Sequence, residues 1–147
     1  MKLLHDPGVR DSMKRRIQAL RPDSKPKWGR MTADQMLWHI NVSLAEAAGE
    51  YAPARMRVPI PRGLLRWMLL NVPWPKGSRT RPDMEVGGQR HDFDAERSRT
   101  LRLIDQICDH ELNAAWPDSA SLGTMRGKHW SRLEAKHLEH HLTQFGV

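Results

Sequence analysis

One cysteine in 147 residues, Cys108, is too few for an internal disulfide or a Cys-rich zinc site, so any metal here must rely on histidine and carboxylate. That usage favours a reducing, cytoplasmic location. Long apolar runs are also missing. The stretch MKLLHDPGVRDSMKRR offers two adjacent leucines before charge and proline, whereas a secretory signal needs about 7 to 15 apolar residues, so no export signal is expected. GLLRWMLLNV is interrupted by Arg66 and is about half the roughly 20 residues of a membrane span. No alternating strand pattern and no internal repeat competes with helical spacing anywhere.

Acid is scarce relative to base: 17 Asp and Glu stand against 24 Lys and Arg, a formal charge of +7. Its distribution is uneven. Residues 51–90 hold Arg55, Arg57, Arg62, Arg66, Lys76, Arg79, Arg81 and Arg90 against Asp83 and Glu85, so eight minus two places +6 of the +7 there. Six of the ten prolines fall in the same region, between Pro53 and Pro82. A long irregular connection over residues 50–92 is expected, with at most one short amphipathic helix at about Pro61 to Leu70.

What remains reads as four longer helices in a single domain over residues 1–147. Asp6-Pro7 starts the first, with Val9, Met13, Ile17 and Leu20 at helical spacing, and Arg21-Pro22 stops it. Thr32-Ala-Asp-Gln35 has the form of a capping box, opening a second helix with the stripe Met36, Ile40, Leu44, Ala47 and a stop at Gly49. HDFDAERSRTLRLIDQICDHEL predicts a third, with Leu101, Ile104, Ile107, Cys108 and Glu111 or Leu112 on one side. The fourth is predicted from about Arg126 to Phe145, with Gly146 as its cap. Four such stripes bury most economically against one another, as an all-α four-helix bundle whose second and third helices are joined by a long crossover.

Three of the eight histidines crowd into KHLEHHLTQFGV. At about 100° per residue, Trp130, Leu133 and His141 fall within about 40° of His137, so His137 and His141 lie inside the apolar stripe. His140 lies at its edge. Buried imidazoles need partners, and two at i and i+4 can aim ring nitrogens at one cation given a third ligand from another element. Of the other histidines, His39 is the candidate: it is mid-helix beside Met36 and Ile40, whereas His5, His91 and His129 fall in ends or loops and His110 on a polar side. The alternative is a set of core histidines hydrogen-bonded to backbone or acids.

Glu134 shares the face and forms Glu134-x-x-His137, but no second E-x-x-H exists, which excludes a di-iron arrangement. Glu134 is a candidate general base or ligand orienter, weighed against a solvated edge carboxylate. Gln144 is a candidate to contact a ligand histidine or a metal-bound species, weighed against a helix-end contact. Cys108 reads as an apolar filler. Trp67 and Trp74 lie in the basic connection, whose readings are packing over the bundle end or at a dimer interface, a lid supplying arginines to an anionic substrate, or a membrane-surface or nucleic-acid contact. No recognition helix or stacking motif accompanies the charge, so nucleic acid is disfavoured.

KWGRMTADQMLWHI in the second helix, with W-x-x-L-x-x-x-H-x-x-HH-L-x-QFG in the fourth, resembles the DinB-like superfamily, above all a subfamily described only as a domain of unknown function. The likeness covers about 30 residues in these two motifs and does not extend to residues 51–90. It implies a four-helix bundle with a long crossover after the second helix, often homodimeric, holding a divalent metal through one histidine of the second helix and two of the fourth. By position these are His39, His137 and His141, the three the helical wheel selects. Three neutral imidazoles suit Zn²⁺ or Ni²⁺, and Fe²⁺ or Mn²⁺ with added waters. Hydrolysis and thiol transfer are both available at such an ion. Similarity to thiol-dependent transferases suggests a low-molecular-weight thiol among small-molecule substrates, with Arg62, Arg66 or Arg79 pairing its carboxylates. A metal- or ligand-binding bundle without enzymatic activity, docking a partner through its basic segment, is the alternative expectation.

Overall fold

Local devices mark several of the helix boundaries. In the computed structural model, which describes residues 2–147, α1 is Pro7–Ala19, with Pro7 at the first turn, where a missing N–H is harmless. Its buried face is Met13 and Ile17. α2 is Ala33–Ala47. The Thr32 N–H donates to Gln35 Oε1 at 3.0 Å, as the T-x-x-Q pattern requires, and Gly49 leaves the helix at φ 77°.

α3 is Arg62–Asn71, the short helix expected in the long connection, and a single 3-10 turn follows at Pro82–Met84. α4 is Phe93–Asp109; Asp92 caps it by accepting from the Ala95 N–H at 3.0 Å, with Asp94 and Glu96 in the first turn. α5 is Gly127–Gln144, closed by Gly146 at φ 75°. A Cβ on Gly127 would lie 2.3 Å from the Leu112 carbonyl oxygen, so only glycine lets α5 start against the 111–116 loop.

The chain is therefore all-helical, with five helices and no strand among the described residues. α2 is the central element: it packs on α4 and α5 and is buried nearly all round, while α1 closes against α4 and α5 and α3 lies on α5. The core joins Met13 and Ile17 of α1 to Met36, Ile40 and Leu44 of α2, and these to residues of α4 and α5 including Ile104 and the fully enclosed Trp130. None of the helices is long and apolar enough to cross a membrane.

The buried face of α4 differs from the expected one. Phe93, Thr100, Leu103, Ile104 and Ile107 are buried, Leu101 and Cys108 are at the edge, and Glu111 and Leu112 lie beyond the helix end. Thr100 turns the face: its hydroxyl donates to Asn41 Oδ1 of α2 at 2.7 Å, so a polar residue occupies a position that an apolar pattern leaves empty.

Candidate metal centre

Two polar stripes face each other inside this core. On α2, His39, Ser43 and Glu46 are spaced four and three apart; on α5, Glu134, His137 and His141 are spaced three and four. Either spacing puts all three side chains on one side of a helix. All six are buried. Ser43 Oγ donates to Glu134 Oε1 at 2.6 Å, and His39 Nε2 lies 3.1 Å from His137 Nε2, so α2 and α5 run antiparallel past each other.

The histidines converge. One ring nitrogen from each of His39, His137 and His141 lies within 4.8 Å of the other two. Which nitrogens these are follows from the other side of each ring. His39 Nδ1 is 2.9 Å from the Met84 carbonyl oxygen and His141 Nδ1 is 2.7 Å from Gln144 Oε1, so each carries its proton on Nδ1. His137 Nδ1 faces Glu134 Oε2 at 3.7 Å, longer than a hydrogen bond. That leaves Nε2 of each imidazole directed at a shared centre. Two nitrogens around a tetrahedral Zn²⁺ at about 2.0–2.1 Å would stand about 3.3 Å apart, close to the His39–His137 separation.

Electrostatics keep these rings neutral. Burial pushes His39 down, His137 well down and His141 down to about 2, each helped by the neighbouring imidazoles. Neutral imidazole is the ligand form. Glu134, by contrast, is pushed up to about 7 by complete burial, against the pull of Ser43 and the more distant Arg81. Its Oε2 is a buried oxygen with no hydrogen-bond partner among the described residues. The expectation of a solvated edge carboxylate at Glu134 is thereby corrected. The donor set fits a divalent cation: the Nε2 lone pairs of His39 and His141 are free, His137 Nε2 lies 3.1 Å from His39 Nε2 and can join them once its proton is on Nδ1, and an unpartnered carboxylate oxygen stands behind that ring.

Deeper along the same stripes, Arg81 forms an ion pair with buried Glu46 at 2.7 Å and a second with Asp83 at 2.7 Å. The Glu46 Oε1 also accepts from the Ala120 N–H at 2.9 Å. Burial raises Glu46 despite these partners. Neither Glu46 nor Arg81 was expected in the site; the i, i+4, i+7 spacing of His39, Ser43 and Glu46 is the signal that carries it.

The three histidines line a cavity of about 1290 Å³. Of the arginines expected to bind substrate, Arg79 lines it. Arg62 and Arg66 do not: Arg62 donates to the carbonyls of Ala120, Ser121 and Met56, and Arg66 to those of Leu122 and Thr124, which ties α3 to the 119–124 turn. Gln144 holds His141 and also donates to the Trp28 carbonyl at 2.8 Å. His140 is half-buried between Trp28 and Trp74, with ring centres 5.7 Å from each, and Trp74 stands 5.8 Å from His137. His5 bonds Ser131 and the His110 carbonyl, His91 stacks on Trp38 and His129 accepts from the Arg126 N–H, all away from the centre.

Neutral nitrogens meeting at the wall of a cavity can hold a metal ion with coordination positions left for a small molecule. No family model, no curated protein and no solved structure matches this chain.

Proposed function

We propose that this chain is a cytoplasmic metal-dependent enzyme of the DinB-like type, a four-helix bundle whose long crossover between the second and third long helices roofs a three-histidine site. The observation that carries the reading is the arrangement of His39, His137 and His141, whose Nδ1 atoms each face an oxygen while their Nε2 atoms face one another. Zn²⁺ or Ni²⁺ suits that donor set best, and Fe²⁺ or Mn²⁺ is accommodated with added waters. A divalent ion held there supplies Lewis acidity, the chemistry of hydrolysis or thiol-dependent S-transfer. Of the chain's own groups, Gln144 and the Met84 carbonyl fix two of the rings, and Glu134 orients the third or takes up a proton beside it.

Elemental analysis of protein free of any polyhistidine tag tests this, alongside His39→Ala, His137→Ala and His141→Ala. About one metal per chain in the parent and loss in each variant is the expected result. Full retention in any one variant removes that residue from the site. Turnover of thiols with electrophiles, and of ester or amide substrates, then identifies the reaction.

A second reading, a metal- or ligand-binding bundle without catalysis, is favoured by one feature. Leu64, Trp67, Met68 and Val72 of the α3 region are large apolar side chains 40 to 58 % exposed, a surface suited to a partner or to a second copy in a homodimer. Metal-loaded protein that turns over none of these substrates supports that reading, and sedimentation across a concentration series tests the dimer.

A further inference from the structure

The walls of the cavity around the histidines specify a kind of guest. Its volume, about 1290 Å³, exceeds the roughly 300–1,000 Å³ of ordinary small-molecule sites. Its unpaired charge is mostly arginine: among the described residues, Arg30, Arg57 and Arg79 line it with no carboxylate within ion-pair distance, whereas Arg81 is committed to Glu46 and Asp83. Glu85 is the one lining acid without a basic partner, so the cationic excess stands. These three arginines are exposed and the histidines are buried, which puts positive charge at the mouth and the metal centre at the inner end.

The wall also holds Met31, Met56, Met68 and Met84, half of the eight methionines in the chain, contributed by four separate segments. Methionine is flexible and polarizable and adapts to apolar guests of variable shape. An acidic pocket or a rigid polar one would suit a sugar or a cation; this one joins a pliable apolar lining to a guanidinium rim.

We propose that the cavity takes an organic anion with a flexible apolar chain, its acidic head held at the mouth by Arg57 and Arg79 with Arg30 beside them, its chain lying along the methionines, and its inner end meeting the histidine centre. The assignment of the inner end rests on the reading of that centre as the reacting one. Binding of the anion does not.

Decanoate, hexanoate, acetate and decanol are the probes, titrated below their micellar concentrations into the whole protein by calorimetry, with metal content measured on the same samples. Decanoate should bind one per chain and at least about tenfold more tightly than hexanoate, because four further methylenes are buried, while acetate shows no binding. Decanol should bind at least about fivefold more weakly than decanoate. The double variant Arg57→Ala/Arg79→Ala, altered at exposed positions, should keep its helical circular dichroism and bind decanoate and decanol equally. Equal binding of the two by the parent, or no decanoate binding up to about 1 mM, overturns the proposal. Metal retained without decanoate binding sinks only this inference; decanoate binding by protein that takes up no metal sinks only the metal reading.

Discussion

Replacing Glu134 by glutamine is expected to stabilise the metal-free protein while weakening its hold on a divalent ion, two effects of opposite sign from one atom. Burial raises this carboxyl from 4.5 to about 7, with Ser43 bonding one oxygen and nothing bonding the other. Below pH 4.5 both folded and unfolded chains hold the proton, and the group is neutral to stability. Between 4.5 and about 7 the unfolded chain has released it and the folded chain has not, so stability falls as pH rises. At about 1.4 kcal/mol per pH unit, the ionised carboxylate costs the folded state about 3 kcal/mol by pH 8. Glutamine has no proton to release. It keeps an acceptor for Ser43 like that of the protonated acid, and the stronger bond to the ionised form is already contained in the folded value, so the net gain is about 3 kcal/mol at pH 8 and none near pH 4. The amide also sets an N–H donor where Oε2 faces His137 Nδ1 at 3.7 Å. His137 then favours the tautomer with its proton on Nε2, the nitrogen proposed to hold the ion, and metal affinity should fall about 10- to 100-fold. Urea unfolding of chelator-treated protein at pH 8 and pH 4.5, with competitive Zn²⁺ titration, measures both. Lower stability at pH 8 with unchanged affinity would refute the reasoning and leave Glu134 an ordinary partner of Ser43.

Arg81→Met should cost about 3–5 kcal/mol, because it leaves Glu46, 2 % exposed, as an uncompensated buried charge, and adding Glu46→Gln should recover most of the loss in denaturant titrations. Asp34 behaves in the opposite sense to Glu134: burial works to raise it, but hydrogen bonds from Arg90, the His91 N–H and Thr32 outweigh this and hold it far below the usual carboxylate range. Its contribution is present above about pH 4 and lost as pH falls through its folded value, so Asp34→Asn should cost about 1–3 kcal/mol at pH 7 and progressively less in acid. Burial pushes the Cys108 thiol up to about 11, and its S–H donates to the Leu4 carbonyl at 3.4 Å, so a disulfide reagent at pH 8 should label native protein at least about tenfold more slowly than unfolded protein. Equal rates would show that the thiol is open to solvent.

The helices were legible in the sequence because their ends are local. Pro7, Thr32 with Gln35, Asp92 and Gly146 each act within four residues of the boundary they set. The face of α4 was less legible, since Thr100 is buried through a bond to Asn41, 59 residues earlier. Arginine was the least legible residue type. Its guanidinium serves carbonyls and carboxylates equally well, so spacing alone does not distinguish Arg62 and Arg66, which anchor a turn, from Arg79 at the cavity or Arg81 in a buried ion pair.

The site itself was half-legible, and the missing half has a physical reason. A wheel drawn on one helix finds His137 and His141 among apolar neighbours, but it values Glu134 by residue type, and a lone glutamate at a stripe's edge is ordinarily solvated. What buries it is Ser43, 91 residues away on a helix running the other way. Read in opposite directions, His39 and Ser43 on α2 meet His137 and Glu134 on α5, with spacing four against three, and His141 one turn further on closes against His39. A helix as completely buried as α2 folds only if its polar side chains find partners, so each polar residue on it predicts one on a neighbour. Apolar periodicity locates the helices; complementary polar periodicity on two of them locates the site. The unmatched remainder of that pairing, a carboxylate oxygen and converging imidazole nitrogens, is where the fold holds binding capacity that its own side chains do not consume.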